Sequence, residues 1–123
     1  MDKITLYREF RNELDKICVP EILKCETTKY IMCDGRKVGI LCTRDDEWGK
    51  YIDCVYIIPE YRRKGLAKSA VMEWYRKHRG KNVRLHIINQ NKGAYKFWTS
   101  LFDLEELEWN FVDALYRIKG VRQ

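Results

Sequence analysis

No stretch of the sequence is apolar for more than a handful of residues, whereas a membrane-crossing helix needs about 20 in a row. The first residues, MDKITLYREF, carry charges where a secretory leader needs an apolar segment, which predicts a cytoplasmic protein with no membrane partner. Prolines number only two and glycines seven, too few for a collagenous or a Pro/Gly-rich disordered chain. Repeats, linkers and low-complexity segments are also missing. No Cys-x-x-Cys pair occurs: Cys18, Cys25, Cys33, Cys42 and Cys54 are odd in number and widely spaced. That pattern argues against a disulfide framework and against a zinc site, and the cysteines read as reduced, small, buried hydrophobes with no metal.

What is present is enough apolar material for a core. With 46% hydrophobic and 13% aromatic residues in a chain of 123, one globular domain spanning residues 1–123 is expected. Folding at this length removes roughly two-thirds of the unfolded chain's surface from water. The formal charge of +6 favours a polyanionic partner or cofactor, because basic proteins attract phosphates over long range.

Apolar spacing predicts the elements. In TLYREFRNELDKI, Leu6, Phe10, Leu14 and Ile17 share one helical stripe, with Thr5 available as N-cap and Pro20 beyond the end. Asp34-Gly35 between two apolar runs is a hairpin signal joining a strand from Lys29 to one through KVGILCT. YIDCVYII, rich in β-branched and aromatic residues, is a third strand that stops at Pro59. Ala67, Ala70, Val71, Trp74 and Tyr75 then recur at helical spacing up to Gly80. NVRLHII follows as a strand, NKGAYKFWTSLF as a helix, and LEELEWNFV and DALYRIK as strands. A helical crossover from residues 51–58 to 82–88 implies that those two strands are parallel.

Between the third strand and its helix lies IIPEYRRKGLA, with Arg62, Arg63 and Lys64 side by side. A helix N-terminus carries about half a positive charge and backbone N–H groups that lack intrahelical partners. Gly65 and Ala67 add no bulk, so a diphosphate has room to approach the backbone. Adjacent cations tolerate one another when an anion lies among them; a solvated basic turn is the plainer alternative.

The string Arg62-x-x-Gly65-x-Ala67 after Val55-Tyr56-Ile57-Ile58-Pro59 resembles the acetyl-CoA-binding motif of the GCN5-related N-acetyltransferase (GNAT) family. Downstream, Asn91-x-x-Ala94-x-x-Phe97-Trp98 is similar to a second segment of that family, at the usual separation. The resemblance covers roughly residues 30 to 118. It implies an α/β (α+β) fold: a mixed central sheet with a splayed parallel strand pair, one strand bulged, flanked by helices. Residues 1 to 29 are too short for the family's usual first strand and two helices.

By the same resemblance, the pantetheine arm of acetyl-CoA lies against strand backbone at Tyr56 and Ile57. The backbone through Arg62, Arg63, Lys64, Gly65, Leu66 and Ala67 cradles the pyrophosphate, while Asn91 and Trp98 lie near the thioester. The implied reaction is direct attack of a primary amine on the acetyl group. The acceptors that the resemblance allows are a protein lysine, an N-terminus, a small amine and an aminoacyl-tRNA; it also allows a homodimer.

That chemistry needs a base, because an ammonium of pKa near 10.4 is neutral only about once in two thousand at pH 7. His86, second in the strand beside the cofactor gap, is the leading candidate, since imidazole as a group titrates near 6.5. Asp53 and Glu47 are alternatives acting through water. A thiolate leaving group needs at most a weak acid, yet the position that the family fills with tyrosine holds Trp98, whose indole N–H is no practical acid. Tyr95, three residues earlier, is the substitute. Two other functions stay open: a CoA- or partner-binding module without turnover, and a small basic nucleic-acid binder using the cations from Arg62 to Arg79.

Overall fold

The computed structural model describes residues 27–122. The helix expected from Thr5 lies outside the described residues. In chain order come β1 (Thr27–Cys33), β2 (Arg36–Asp46), β3 (Gly49–Ile57), a 3-10 turn (Pro59–Tyr61), α1 (Leu66–Lys77), β4 (Val83–Ile88), α2 (Lys92–Leu101), β5 (Phe102–Trp109) and β6 (Asp113–Val121). Hydrogen bonding gives the strand order β1-β2-β3-β4-β6-β5, with β3 and β4 the parallel pair.

The chain forms two compact units. One holds the described chain up to Arg44 together with Asp53–Arg79; the other holds Asp45–Ile52 and the chain from Gly80 on. Strand β3 therefore begins in the second unit and ends in the first.

In the first unit, Asp34 and Gly35 both take positive φ, 51° and 78°, the backbone that a two-residue hairpin of native twist requires. β1 and β2 pair antiparallel from this turn, with a bulge at Ile31/Met32. Val38 to Thr43 are all buried, so β2 is covered on both faces. Helix α1 buries Val71, Met72 and Trp74 and leaves its lysines and Arg76 in water. At its end His78 stacks on Trp74 with ring centroids 4.4 Å apart.

In the second unit, β4 pairs in parallel with the start of β3 over Lys50↔Val83 to Ile52↔Leu85, and antiparallel with β6. The parallel ladder ends there, although β3 runs on to Ile57 and β4 to Ile88. Alternation along β4 is clean at Leu85, His86 and Ile87: the two aliphatic residues are buried and the histidine between them is exposed. Asn91 caps α2 by accepting from Ala94 N at 2.9 Å. α2 buries Trp98 and Leu101, and the fully buried Phe102 opens β5 with no connecting loop.

Candidate active site

The first unit carries the basic turn. After the 3-10 turn, Arg63 adopts φ 64° and Gly65, the N-cap of α1, adopts φ 75° and ψ 15°. The first helical bond is donated by Ser69 N to Gly65 O, so the N–H groups of Leu66, Ala67 and Lys68 have no intrahelical acceptor. A Cβ built on Gly65 meets no atom within 4 Å, leaving the backbone open to an approaching group. Left-handed residues at Arg63 and Gly65 precede free helix N–H groups, a backbone pattern suited to an anion. This arrangement fits a diphosphate, and Arg63 and Lys64, both exposed, add charge beside it.

Arg62 does something different. Its Nε donates to Ile57 O at 2.8 Å and its guanidinium lies 5.4 Å from the Tyr56 ring centroid, so the side chain ties the turn back to the end of β3. Burial pushes its pKa down from the usual arginine value. The backbone carbonyl of Ile57, expected to face the cofactor, thus accepts a hydrogen bond from within the protein. Tyr56 and Ile57 are both buried.

Asp53, in the same unit, has a side chain only 8% exposed and pairs with Arg44 at 3.5 Å. A carboxylate held by a guanidinium is a weaker base than a free one, because proton binding must break the pair.

The second unit carries His86. The Tyr51 hydroxyl hydrogen-bonds His86 Nδ1, with the two ring centroids 5.6 Å apart. A hydroxyl can accept from Nδ1–H, and in that tautomer Nε2 presents its lone pair outward from an exposed side chain. Tyr51 escaped the sequence reading because it stands 35 residues from His86. The only local signal was its place at the start of the third strand.

Tyr95 stands on α2. Leu85 pairs with Tyr116, and His86 with Leu115, so those two pairs point to opposite sides. Burial first, then the nearby Glu106 and Tyr95, push the Tyr116 hydroxyl up. Tyr95 is half exposed; Trp98 is buried, stacked on Phe102 at 6.4 Å. Asn91 spends its Oδ1 on the α2 cap, leaving its amide N–H groups as donors.

Glu47 is exposed in the turn between β2 and β3, and its neighbours are engaged: Asp45 pairs with Lys50 at 2.6 Å and Asp46 with Arg84. Arg84, another residue missed by sequence reading, is a buried cation on β4 whose guanidinium also lies over Trp48 and Tyr51 at 5.6 and 5.9 Å. The Arg84 hydrogen bond, aided by Trp48 N, holds the Asp46 carboxyl below its ordinary range. A depressed folded-state pKa contributes stability that is present above the unfolded value and lost as pH falls through the folded one. Asp46→Asn should therefore cost about 2 to 3 kcal/mol at pH 7 by leaving Arg84 buried without its partner. It should also flatten the acid limb of stability below roughly pH 4, measured as denaturant midpoint against pH.

In the first unit, a groove of about 340 Å³ between β1, β2 and α1 is lined mainly by Tyr30, Ile31, Met32, Leu41, Leu66 and Trp74. Leu66 is the one predicted site residue among those lining it.

The family comparison covers β1 to β4, the basic turn and both described helices. The acetyltransferase (GNAT) family model matches residues 5–103, and the chain belongs to that family. Its class is that of enzymes that transfer acetyl groups from acetyl-CoA. Solved structures of similar fold include the ribosomal-protein-S18-alanine N-acetyltransferase of Escherichia coli, at 16% identity and TM-score 0.64, covering 79% of this chain and 70% of that one. The PaiA N-acetyltransferase of Thermoplasma acidophilum in complex with coenzyme A shows 17% identity and TM-score 0.62, covering 96% and 80%. An N-acetyltransferase of Staphylococcus aureus Mu50 shows 11% identity and TM-score 0.61, covering 74% and 68%. No curated protein matches the sequence. Among the described residues no helix is long and apolar enough to cross a membrane.

Proposed function

We propose that the protein transfers the acetyl group of acetyl-CoA to a primary amine by direct attack, the turn from Arg62 to Ala67 holding the diphosphate and His86 removing the ammonium proton. The observation that carries this reading is the pair of left-handed residues, Arg63 and Gly65, ahead of the unpartnered N–H groups of α1. Bound acetyl-CoA would supply an activated acyl group with a good leaving thiolate. The chain's own residues supply anion binding at α1, a proton acceptor on β4 and a phenol at Tyr95 on α2. The amine nitrogen bonds to the acetyl carbon as the C–S bond breaks, so the reaction needs a proton acceptor at the ammonium and, at most, a weak acid at the departing thiolate.

The test is thermal. A ligand present at a hundred times its Kd and bound only by the native state adds about 2.7 kcal/mol, so CoA should raise Tm by several degrees. No shift at millimolar CoA would overturn the reading.

A second reading, a CoA-holding module without turnover, is favoured by one observation: Trp98 stands buried where the family has its acidic tyrosine. Thiol release from acetyl-CoA across a panel of amines separates the two.

A further inference from the structure

Burying a cation costs stability, and Arg84 is a buried cation: its side chain is 9% exposed and its Nε has no acceptor among the described residues. An apolar side chain of similar volume is often at least as stable in such a place, so the ion pair with Asp46 does not by itself account for an arginine here. What arginine alone provides is a flat, charged plate. Its guanidinium lies over two aromatic rings, 5.6 Å from the Trp48 centroid and 5.9 Å from that of Tyr51.

The plate is held from behind. Trp48 N donates to Asp46 Oδ1 at 2.9 Å while Asp46 Oδ2 accepts from Arg84, so one carboxylate joins the β2–β3 turn to β4. That turn is also fastened to residue 82: Asn82 Nδ2 donates to Trp48 O at 2.9 Å, and Lys50 N donates to Asn82 O at 2.8 Å. Gly49, at φ 137°, permits the approach, since a Cβ there would lie 2.4 Å from Asn82 O.

The register carries this brace to the proposed base. Tyr51 pairs with Arg84 across the parallel ladder, and His86 follows Arg84 by two residues, so the three side chains share one face of the sheet. Tyr51 is buried with its hydroxyl on His86 Nδ1. Which ring nitrogen of a histidine carries the proton is set by the hydrogen bond that the ring makes. Every link from Asp46 through Arg84 and Tyr51 to His86 belongs to one compact unit. Asp46 and Arg84 neutralise each other, so the pair acts on the ring by position rather than by net charge.

We propose that Arg84 is a positioning residue for the proton acceptor: pinned by Asp46, its guanidinium fixes the Tyr51 ring, whose hydroxyl holds His86 in the Nδ1–H tautomer with Nε2 outward. That the imidazole so held takes the ammonium proton rests on the acetyl-transfer reading; the brace itself does not.

The test reads the tautomer directly, by nitrogen NMR of protein carrying isotope-labelled histidine at about pH 8.5, where imidazole as a group is neutral. The chain has two histidines. His78 Nδ1 lies 2.7 Å from Trp74 O, which can only accept, so His78 supplies an internal Nδ1–H standard, and His86→Ala identifies the other signal. The parent His86 should show the Nδ1–H pattern. Arg84→Met, which removes the buried charge along with the plate, should lose it, with kcat falling about five- to tenfold and KM for acetyl-CoA unchanged. In a Tyr51→Phe background the same substitution should lower kcat no further, because the two residues act through one bond. Arg117→Met removes an exposed cation that pairs with Arg84 from β6, and it should alter neither readout. Should Arg84→Met fail to fold, Arg84→Lys keeps the charge, loses the plate and must show the same loss. A parent His86 in the Nε2–H form, an Arg84→Met protein with the parent's tautomer, or a further loss in the double variant overturns the proposal. Reading the tautomer needs no turnover: a parent that releases no thiol from acetyl-CoA with any amine sinks acetyl transfer, and the spectrum still decides the brace.

Discussion

Gly39→Ala is expected to lower stability by about 3 kcal/mol or more and to weaken CoA binding with it. A Cβ at Gly39 would lie 2.3 Å from Tyr56 O and 2.7 Å from Ile57 Cδ1, and the first of these is backbone that cannot rotate away. Ile58 N donates to Val38 O at 2.9 Å, so β2 and β3 are held together where the methyl would push them apart. The displaced segment, Tyr56 to Ile58, also anchors the basic turn through the Arg62 bond to Ile57 O. A strain introduced in β2 is thus transmitted to the anion site. The measurement is a Tm drop of roughly 10 °C, together with the thermal response to CoA. Gly120→Ala is the control, because its Cβ meets nothing within 4 Å and its φ is not positive, and it should change stability by less than about 0.5 kcal/mol. A Gly39→Ala protein as stable as the parent would mean that β2 and β3 part at no cost.

Features whose cause is local could be read from the chain. Asp34-Gly35 marks its hairpin because two adjacent residues must take positive φ, and few pairs do so cheaply. The basic turn was legible for the same reason: Gly65 is the αL N-cap directly ahead of α1. The parallel pairing of β3 with β4 followed from the length of the crossover. What stayed hidden depends on partners far along the chain. Gly39 reads as an ordinary strand glycine until Tyr56 is seen against it. Asp53 looks like a free carboxylate until Arg44 is found beside it, and nothing near Arg84 in sequence announces Asp46, 38 residues away. Arg62 belongs to the motif by position, yet its side chain bonds the protein's own backbone; only its neighbours Arg63 and Lys64 keep the outward role that charge suggested.

His86→Ala should lower turnover by on the order of a hundredfold, the usual scale of general-base help, with CoA affinity almost unchanged. The exposed imidazole stands on β4 with the Tyr51 hydroxyl at Nδ1, and where that hydroxyl accepts from Nδ1–H, Nε2 is the nitrogen that takes a proton. Tyr51→Phe keeps the ring and removes that bond, so turnover should fall about five- to tenfold, the value of one hydrogen bond, and its pH profile should shift while KM for acetyl-CoA does not. Loss of the base is partly curable by alkali, because raising the bulk pH supplies neutral amine directly. Loss of an acid is not. Tyr95→Phe should therefore slow the reaction without rescue at high pH, and the two variants are told apart by that response alone. Equal activity of parent and His86→Ala across roughly pH 6 to 9 would remove His86 from the proton path. Since Asp53 is already held by Arg44, the proton would then pass to Glu47 or to bulk water.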